Sequence, residues 1–147
     1  MRHLQRRLLQ GSAWIWLLRV AWRRRRMPFD VLVRSLEGES SAGPTGVPAV
    51  SIHDMVFGAL RIWPGRRSCL TASLAAVGML RRHGHDARLV IGVREARPRL
   101  DAHAWVEVAG KPVGAGAGDY TPLRSSSSTT QRAAADALPT PSRTESR

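Results

Sequence analysis

The residues best suited to chemistry in this sequence are one cysteine and one histidine. Cys69 is the only cysteine, and His103 opens the segment His103-Ala-Trp-Val-Glu-Val 34 residues later. A single thiol cannot form a disulfide within its own chain, so it is inert, joins another chain, or is reactive. A reactive thiol needs a base, and His103 is the best-placed candidate. Free cysteines are also common as small core residues, so the surrounding pattern has to decide.

The pattern around Cys69 predicts a helix that begins at this residue. Apolar residues recur at helical spacing up to Arg82, Ser68 is the predicted N-cap, and Gly84 is placed to close the helix. The apolar stripe consists of Leu70, Leu74, Val77 and Leu80. In a first turn, free backbone N–H groups and the positive end of the helix dipole stabilise a thiolate, and Arg66-Arg67 adds positive charge.

Two segments after Gly84 are predicted to be strands. They cover residues 87–93 and 102–108, and Ala109-Gly110 then makes a tight turn into residues 111–114. Alternation places His103, Trp105 and Glu107 on one face of the second strand. The helix is expected to cover an apolar face of this sheet, which gives an α+β fold with a thiol and an imidazole on neighbouring elements.

The N-terminal region is predicted to be helical and basic. Residues 8–22 are rich in tryptophan and leucine, but Arg19 interrupts them and the run is shorter than the roughly 20 apolar residues of a membrane span. We predict a basic amphipathic helix over residues 1–27. Its expected packing face is Leu4, Leu8, Trp14, Leu18 and Trp22. The alternatives are docking of a partner or contact with an anionic membrane surface.

Two further helices are predicted before Cys69. A short one follows Pro28, and a connection rich in glycine, serine and proline fills residues 37–48. The next helix is predicted to start at Ser51, because Ser51 and Asp54 resemble a capping box and apolar residues then recur up to Trp63.

Composition narrows the function classes only a little. The net charge is +12 and comes from 22 arginines and one lysine, a skew that does not by itself indicate nucleic-acid binding. No paired cysteines or zinc-finger spacing occur, and His83 and His85 are too few for a metal site. A reducing cytoplasm fits this cysteine usage best.

These segments, in this order and spacing, resemble the lasso peptide B2 proteins. The resemblance rests on Cys69-Leu70, on 80–84 (Leu-Arg-Arg-His-Gly), on 87–93 (Ala-Arg-Leu-Val-Ile-Gly-Val), on 102–108 (Ala-His-Ala-Trp-Val-Glu-Val) and on 110–113 (Gly-Lys-Pro-Val). B2 proteins are leader peptidases of the transglutaminase-like, papain-related superfamily. The resemblance implies a cysteine peptidase core over residues 28–123.

The resemblance also implies a function and partners. Such a protein removes the leader from a ribosomally made precursor peptide, with Cys69 as nucleophile and His103 as base. Its partners would be the precursor, a small leader-recognition protein and an asparagine-synthetase-like macrolactam cyclase. Dependence on ATP is attributed to some relatives, but residues 114–118 lack the lysine and the following helix of a phosphate-binding loop.

One position departs from the family pattern. Relatives carry a carboxylate soon after the hairpin, whereas residues 115 and 116 are alanine and glycine here. Asp119 is our first candidate to orient His103, and Asp101 is the second. The remaining alternatives are a dyad with no carboxylate, a water in its place, or an enzyme whose activity is impaired. Trp105 and Asp101 are expected at the cleft, although Trp105 is as well explained by packing in the sheet.

Two rival functions and one terminal segment complete the sequence-based account. A basic adaptor without catalysis, or a transglutaminase-like acyl transferase, would fit the same residues. Residues 124–147 are rich in serine, threonine, proline and alanine, which predicts a disordered tail.

Overall fold

A computed structural model describes residues 2–39, 46–64, 68–96, 98–114 and 118–125. Four helices come first: α1 (Arg2–Arg23), α2 (Phe29–Gly38), α3 (Ala49–Arg61) and α4 (Cys69–Arg82). Four strands follow: β1 (Ala87–Ala96), β2 (Arg99–Val108), β3 (Lys111–Val113) and β4 (Thr121–Ser125). The predicted α+β class is confirmed.

Helix α4 is the centre of the core. Every residue from Thr71 to Leu80 is buried, because α1, α2 and α3 pack on one side of it and β1 and β2 on the other. The predicted leucine stripe accounts for only part of this burial. Alanine and glycine fill the remaining faces, and these small side chains let neighbouring elements approach a helix that is covered all round.

Helix α1 belongs to the same core, but it uses a different face from the one predicted. Its buried side chains are Ala13, Trp16, Leu17 and Val20. Leu18 and Trp22 were predicted to pack, yet they are 57% and 56% exposed. Trp14 is half-buried against Trp63, with ring centroids 5.4 Å apart. The side chains of Leu4 and Leu8 lie outside the described part of the structure.

The choice of face on α1 has a local cause in α4. Gly78 lies directly beneath the indole of Trp16, so closely that an added Cβ would fall among the ring atoms. This glycine makes a notch that accepts Trp16, and Trp16 then sets the rotation of α1. Helix α1 is apolar on two sides, and only the side bearing Trp16 matches the notch.

Helix α3 begins earlier than predicted. It starts at Ala49 after Pro48, and the Ser51 amide donates to the Pro48 carbonyl over 3.0 Å, so Ser51 is within the first turn and is not the N-cap. Asp54 accepts a hydrogen bond from His53 Nδ1 at 3.1 Å and does not complete a capping box.

The sheet is antiparallel, in the order β3-β2-β1-β4. Both predicted strands are confirmed and are longer than expected, since pairing of β1 with β2 continues from Ala87 opposite Val108 to Ala96 opposite Arg99. The predicted turn at Ala109-Gly110 joins β2 to β3, with φ angles of 50° and 75°. Strand β4 was not predicted. It ends two residues into the segment predicted to be a tail, and residues 126–147 lie outside the described residues.

Candidate active site

Cys69 is the first residue of α4 and is half-buried. Ser68 holds the predicted N-cap position in an extended conformation, although its side chain makes no capping hydrogen bond. The thiol therefore lies at the positive end of a buried helix of 14 residues. Arg66 and Arg67, which were expected to add positive charge, lie outside the described residues.

One buried hydrogen bond joins the start of α4 to β2. Ser73 Oγ donates to the Ala104 carbonyl over 2.9 Å, and Ser73 has no exposed surface. Strand β3 pairs with β2 only from Val106 to Val108, so α4 takes the place of a strand beside Ala104. Cys69 is one turn, about 6 Å along the axis, before Ser73. The hydrogen bond therefore anchors the helix that begins at Cys69 to the strand that carries His103.

His103 is half-buried among aromatic rings. Its imidazole centroid is 5.1 Å from the ring of Tyr120 and 6.4 Å from that of Trp105. The residue directly opposite His103 on β1 is Gly92, which presents no side chain to this face. His103 and Trp105 therefore share a smooth surface of the sheet, as strand alternation predicted.

Trp105 is buried, and its indole is already engaged. The ring lies over Gly92, and its Nε1 donates to Glu107 Oε1 over 3.2 Å. Glu107 is half-buried and bonded to this indole. Because the indole N–H has this partner, Trp105 serves best as a wall of the site.

The two candidate acids have different environments. Asp101 Oδ2 accepts hydrogen bonds from Tyr120 Oη at 2.7 Å and from an Arg94 guanidinium nitrogen at 2.9 Å. Asp119 is exposed, and its charge acts on Arg94. Within the described residues, neither carboxylate is hydrogen-bonded to the His103 ring. Positions 115 and 116, where relatives carry the carboxylate, lie outside them.

The hydrogen bonds of Asp101 shift two pKa values in opposite directions, lowering that of Asp101 and raising that of Tyr120. The Tyr120 hydroxyl, followed by Arg94, holds the pKa of Asp101 below its usual 3.8, and the charge on His103 adds to this effect. The bond to Asp101 raises the pKa of Tyr120 above its usual 10.0, and the Cys69 thiolate contributes in the same direction. Tyr120 is therefore near both members of the proposed nucleophile and base pair.

Tyr120 is the site residue that sequence reasoning missed. No periodic pattern marks it in the sequence. The short strand that brings it back beside β1 and β2 contains a proline and carries no strand signal.

The structure also describes the surroundings of His53, His83 and His85. His53 is buried, bonds Asp54 and stacks on Phe57 with centroids 4.2 Å apart. His85 Nε2 is 2.8 Å from the Val47 carbonyl. Burial, followed by the charge of His85, lowers the pKa of His83. No group of three potential metal ligands occurs among the residues that the structure describes.

Two whole-chain findings bear on function. In the described ranges, no helix combines the length and the apolar character that crossing a bilayer requires. A family model for the transglutaminase-like superfamily matches residues 14–128. Comparison with curated proteins and with solved structures gives no significant match.

Proposed function

Because the chain belongs to the transglutaminase-like superfamily, whose members are cysteine-dependent peptidases and acyl transferases, we propose that it is a peptidase that removes the leader from a lasso peptide precursor. The observation that carries the proposal is that Cys69 begins α4, a helix that the buried hydrogen bond from Ser73 to the Ala104 carbonyl ties to β2, the strand that carries His103. The resemblance of residues 69–113 to the B2 proteins supports the narrower substrate class.

The proposed reaction needs only a thiolate and an imidazolium. Cys69 Sγ attacks the carbonyl carbon at the junction of leader and core, and a tetrahedral oxyanion forms. His103 then gives its proton to the leaving amine as the C–N bond breaks, so the core is released with a free N-terminus. Water, deprotonated by His103, attacks the leader thioester and regenerates the thiol. The first-turn N–H groups of α4 are suitable donors to the oxyanion.

Asp119 remains our first candidate for orienting His103 by direct contact, and Asp101 the second. Asp101 is on the same strand face as His103, two residues earlier, and its charge already interacts with the imidazole. Asp119 precedes Tyr120 in an exposed turn and would need a local rearrangement to reach the ring.

The outer face of α1 supports the proposed contact with a separate leader-recognition protein. This face consists of Ile15, Leu18 and Trp22, which are 65%, 57% and 56% exposed and lie opposite the buried side of the helix. A contiguous exposed apolar stripe of this kind is typical of a docking surface. We place the protein in the cytoplasm, together with the precursor and the macrolactam cyclase.

Docking can be tested with one pair of variants. Leu18→Asp should weaken binding of the recognition protein at least tenfold, whereas Leu123→Asp, at a similarly exposed apolar residue on the edge strand β4, should not. Unchanged binding by Leu18→Asp would contradict this docking site. If Leu18→Asp instead abolished binding to anionic vesicles, the outer face would be a membrane contact.

A basic adaptor without catalysis is the second candidate. The observation that favours it is that neither Asp101 nor Asp119 bonds the His103 ring within the described residues. An adaptor would bind its ligand with steep salt dependence and would be indifferent to Cys69→Ala. The deciding experiment is cleavage of a precursor by the full chain with the recognition protein present, followed by mass spectrometry. Leader-sized and core-sized products support the peptidase, and an intact precursor supports the adaptor.

A further inference from the structure

A second set of contacts surrounds the candidate base. The Tyr120 ring packs on His103 at 5.1 Å, the Tyr120 hydroxyl donates to Asp101 Oδ2 at 2.7 Å, and Arg94 bonds the same oxygen at 2.9 Å. The Arg94 guanidinium also lies over the Tyr120 ring, 4.7 Å from its centroid. We propose that Tyr120 is the positioning residue for His103, and that Asp101 and Arg94 hold Tyr120 in place.

The proposal assigns Asp101 an indirect role. Both hydrogen bonds of Asp101 end on Oδ2, and both partners are donors that keep the carboxylate ionised. Charge-assisted bonds are shorter and stronger than neutral ones, so this carboxylate can fix a tyrosine hydroxyl on the surface of a sheet. His103 is then oriented by ring packing, which limits rotation of the imidazole, although packing does not select its tautomer as the hydrogen bond of a triad does.

Three separate elements contribute to the arrangement. Arg94 comes from β1, Asp101 from β2, and Tyr120 from the residue before β4. Their meeting requires the extension of the β1–β2 hairpin, where Arg94 is directly opposite Asp101, and the pairing of β4 with β1 opposite Gly92 and Val93. Contacts that only joined the strands would not need to reach His103. These contacts do reach it, because the Tyr120 ring packs on the imidazole.

The inference rests on the proposed role of His103, so the test must separate the two. Cys69 is the only thiol, which makes its alkylation by iodoacetamide a readout that needs no substrate. Intact mass after timed labelling between pH 5 and 9 reports how well the imidazole supports the thiolate. The titratable and charged groups on the elements around this region are Cys69 from α4, Arg24, which bonds Thr71 in the first turn of α4, Arg94 from β1, Asp101, His103 and Glu107 from β2, and Asp119 and Tyr120 before β4.

Five variants and one control form the experiment on the full chain: Tyr120→Phe, Asp101→Ala, their double variant, His103→Ala and Tyr120→Leu, with Arg88→Gln as the control. Tyr120→Phe keeps the ring but loses its anchor, and we expect labelling near pH 6.5 to slow about 3- to 10-fold, with a similar loss in kcat and little change in KM. Asp101→Ala should have the same effect, and the double variant should be no worse than either single one. Arg88→Gln is the control and should label normally. It removes an ion-paired arginine from β1, the strand that also carries Arg94.

Each outcome has a distinct meaning. If His103→Ala slows labelling but Tyr120→Phe does not, Tyr120 is not a positioning residue and the proposed function stands. If His103→Ala itself leaves the pH profile unchanged, the proposed pair of Cys69 and His103 fails. An additive double variant would also overturn the inference, because it would show that Asp101 acts on His103 by a separate route. A Tyr120→Leu variant that labels like wild type would overturn it as well.

Discussion

Gly92→Ala should damage the site through packing alone. An added Cβ would lie 2.8 Å from Cη2 and Cζ3 of Trp105 and 2.9 Å from the Thr121 carbonyl oxygen. Carbon atoms normally meet at about 3.5 to 4.0 Å, so the methyl group is at least about 0.7 Å too close to the indole, and the carbonyl oxygen crowds it from a second side. Trp105 is only 3% exposed, and the second obstacle is backbone, so neither neighbour can simply swing away.

The expected cost follows from this geometry. Overpacking of this kind destabilises a domain by about 1 to 3 kcal/mol. At about 4 °C per kcal/mol, Tm should fall by about 4 to 12 °C. Trp105 stacks beside His103, so a displacement approaching 1 Å should also slow precursor cleavage by about 10- to 100-fold.

The assay is differential scanning fluorimetry together with timed cleavage, measured below the lowered Tm. Gly58→Ala is the matched control, since Gly58 is on the exposed side of α3 and an added Cβ there has no atom within 4 Å. Alanine should stabilise that helix by about 0.5 to 1 kcal/mol. Equal Tm values for Gly92→Ala and wild type, with unchanged cleavage, would refute the packing of Trp105 over Gly92.

Three further results are expected. Gly78→Ala should lower Tm by about 4 to 12 °C, since the added methyl group enters the ring of Trp16; calorimetry checks this, and a rise in Tm would contradict the notch. Ser73→Ala should cost about 1 to 2 kcal/mol in urea unfolding because it leaves the buried carbonyl on β2 without its donor, and no change in midpoint would show that this bond does not hold α4. The stability difference between wild type and Asp101→Ala should be full from about pH 4 to pH 10, because the pKa of Asp101 lies below its usual 3.8 and that of Tyr120 above its usual 10.0. It should shrink as pH falls through the lower value or rises through the higher one, and thermal melts across pH that show a constant difference would exclude the bond between them.

The parts of the fold with strong local signals were predicted correctly. Helix α4 combines a periodic apolar stripe with Ser68 before it and Gly84 after it, and β1 and β2 are apolar runs joined to clear turns. The local sequence pattern is sufficient to determine these elements, and contacts with distant residues do not change their type. The start of α3 was misplaced because Pro48 sets the helix before the more conspicuous Ser51.

The incorrect predictions concern elements whose placement depends on residues distant in the sequence. Helix α1 has two apolar sides, and the notch at Gly78 selects the one carrying Trp16, which no reading of α1 alone could show. Strand β4 is short and contains Pro122, so no strand was predicted there; proline is tolerated because β4 pairs only with β1 and lies at the sheet edge.

For the candidate site, two residues were proposed from the sequence, but their surroundings were not predicted. Cys69 and His103 were proposed from residue type and position, and their roles stay predictions until activity is measured. The surroundings of His103 could not be predicted, because Tyr120 reaches it only when β4 returns beside β1. Asp119, chosen for its place in the sequence, faces Arg94 and solvent, whereas Asp101 is built into the contacts around the imidazole.

Cleavage by the two central variants tests the account most directly. Purified wild type, Cys69→Ala and His103→Ala are each incubated with a precursor peptide and the recognition protein, and products are followed by mass spectrometry, with circular dichroism confirming that each chain is folded. We predict that wild type removes the leader and that neither variant does. At early times, mass spectrometry of wild type should detect the leader bound to Cys69 as a thioester. Cleavage retained by either folded variant would contradict the proposal that Cys69 and His103 perform the reaction.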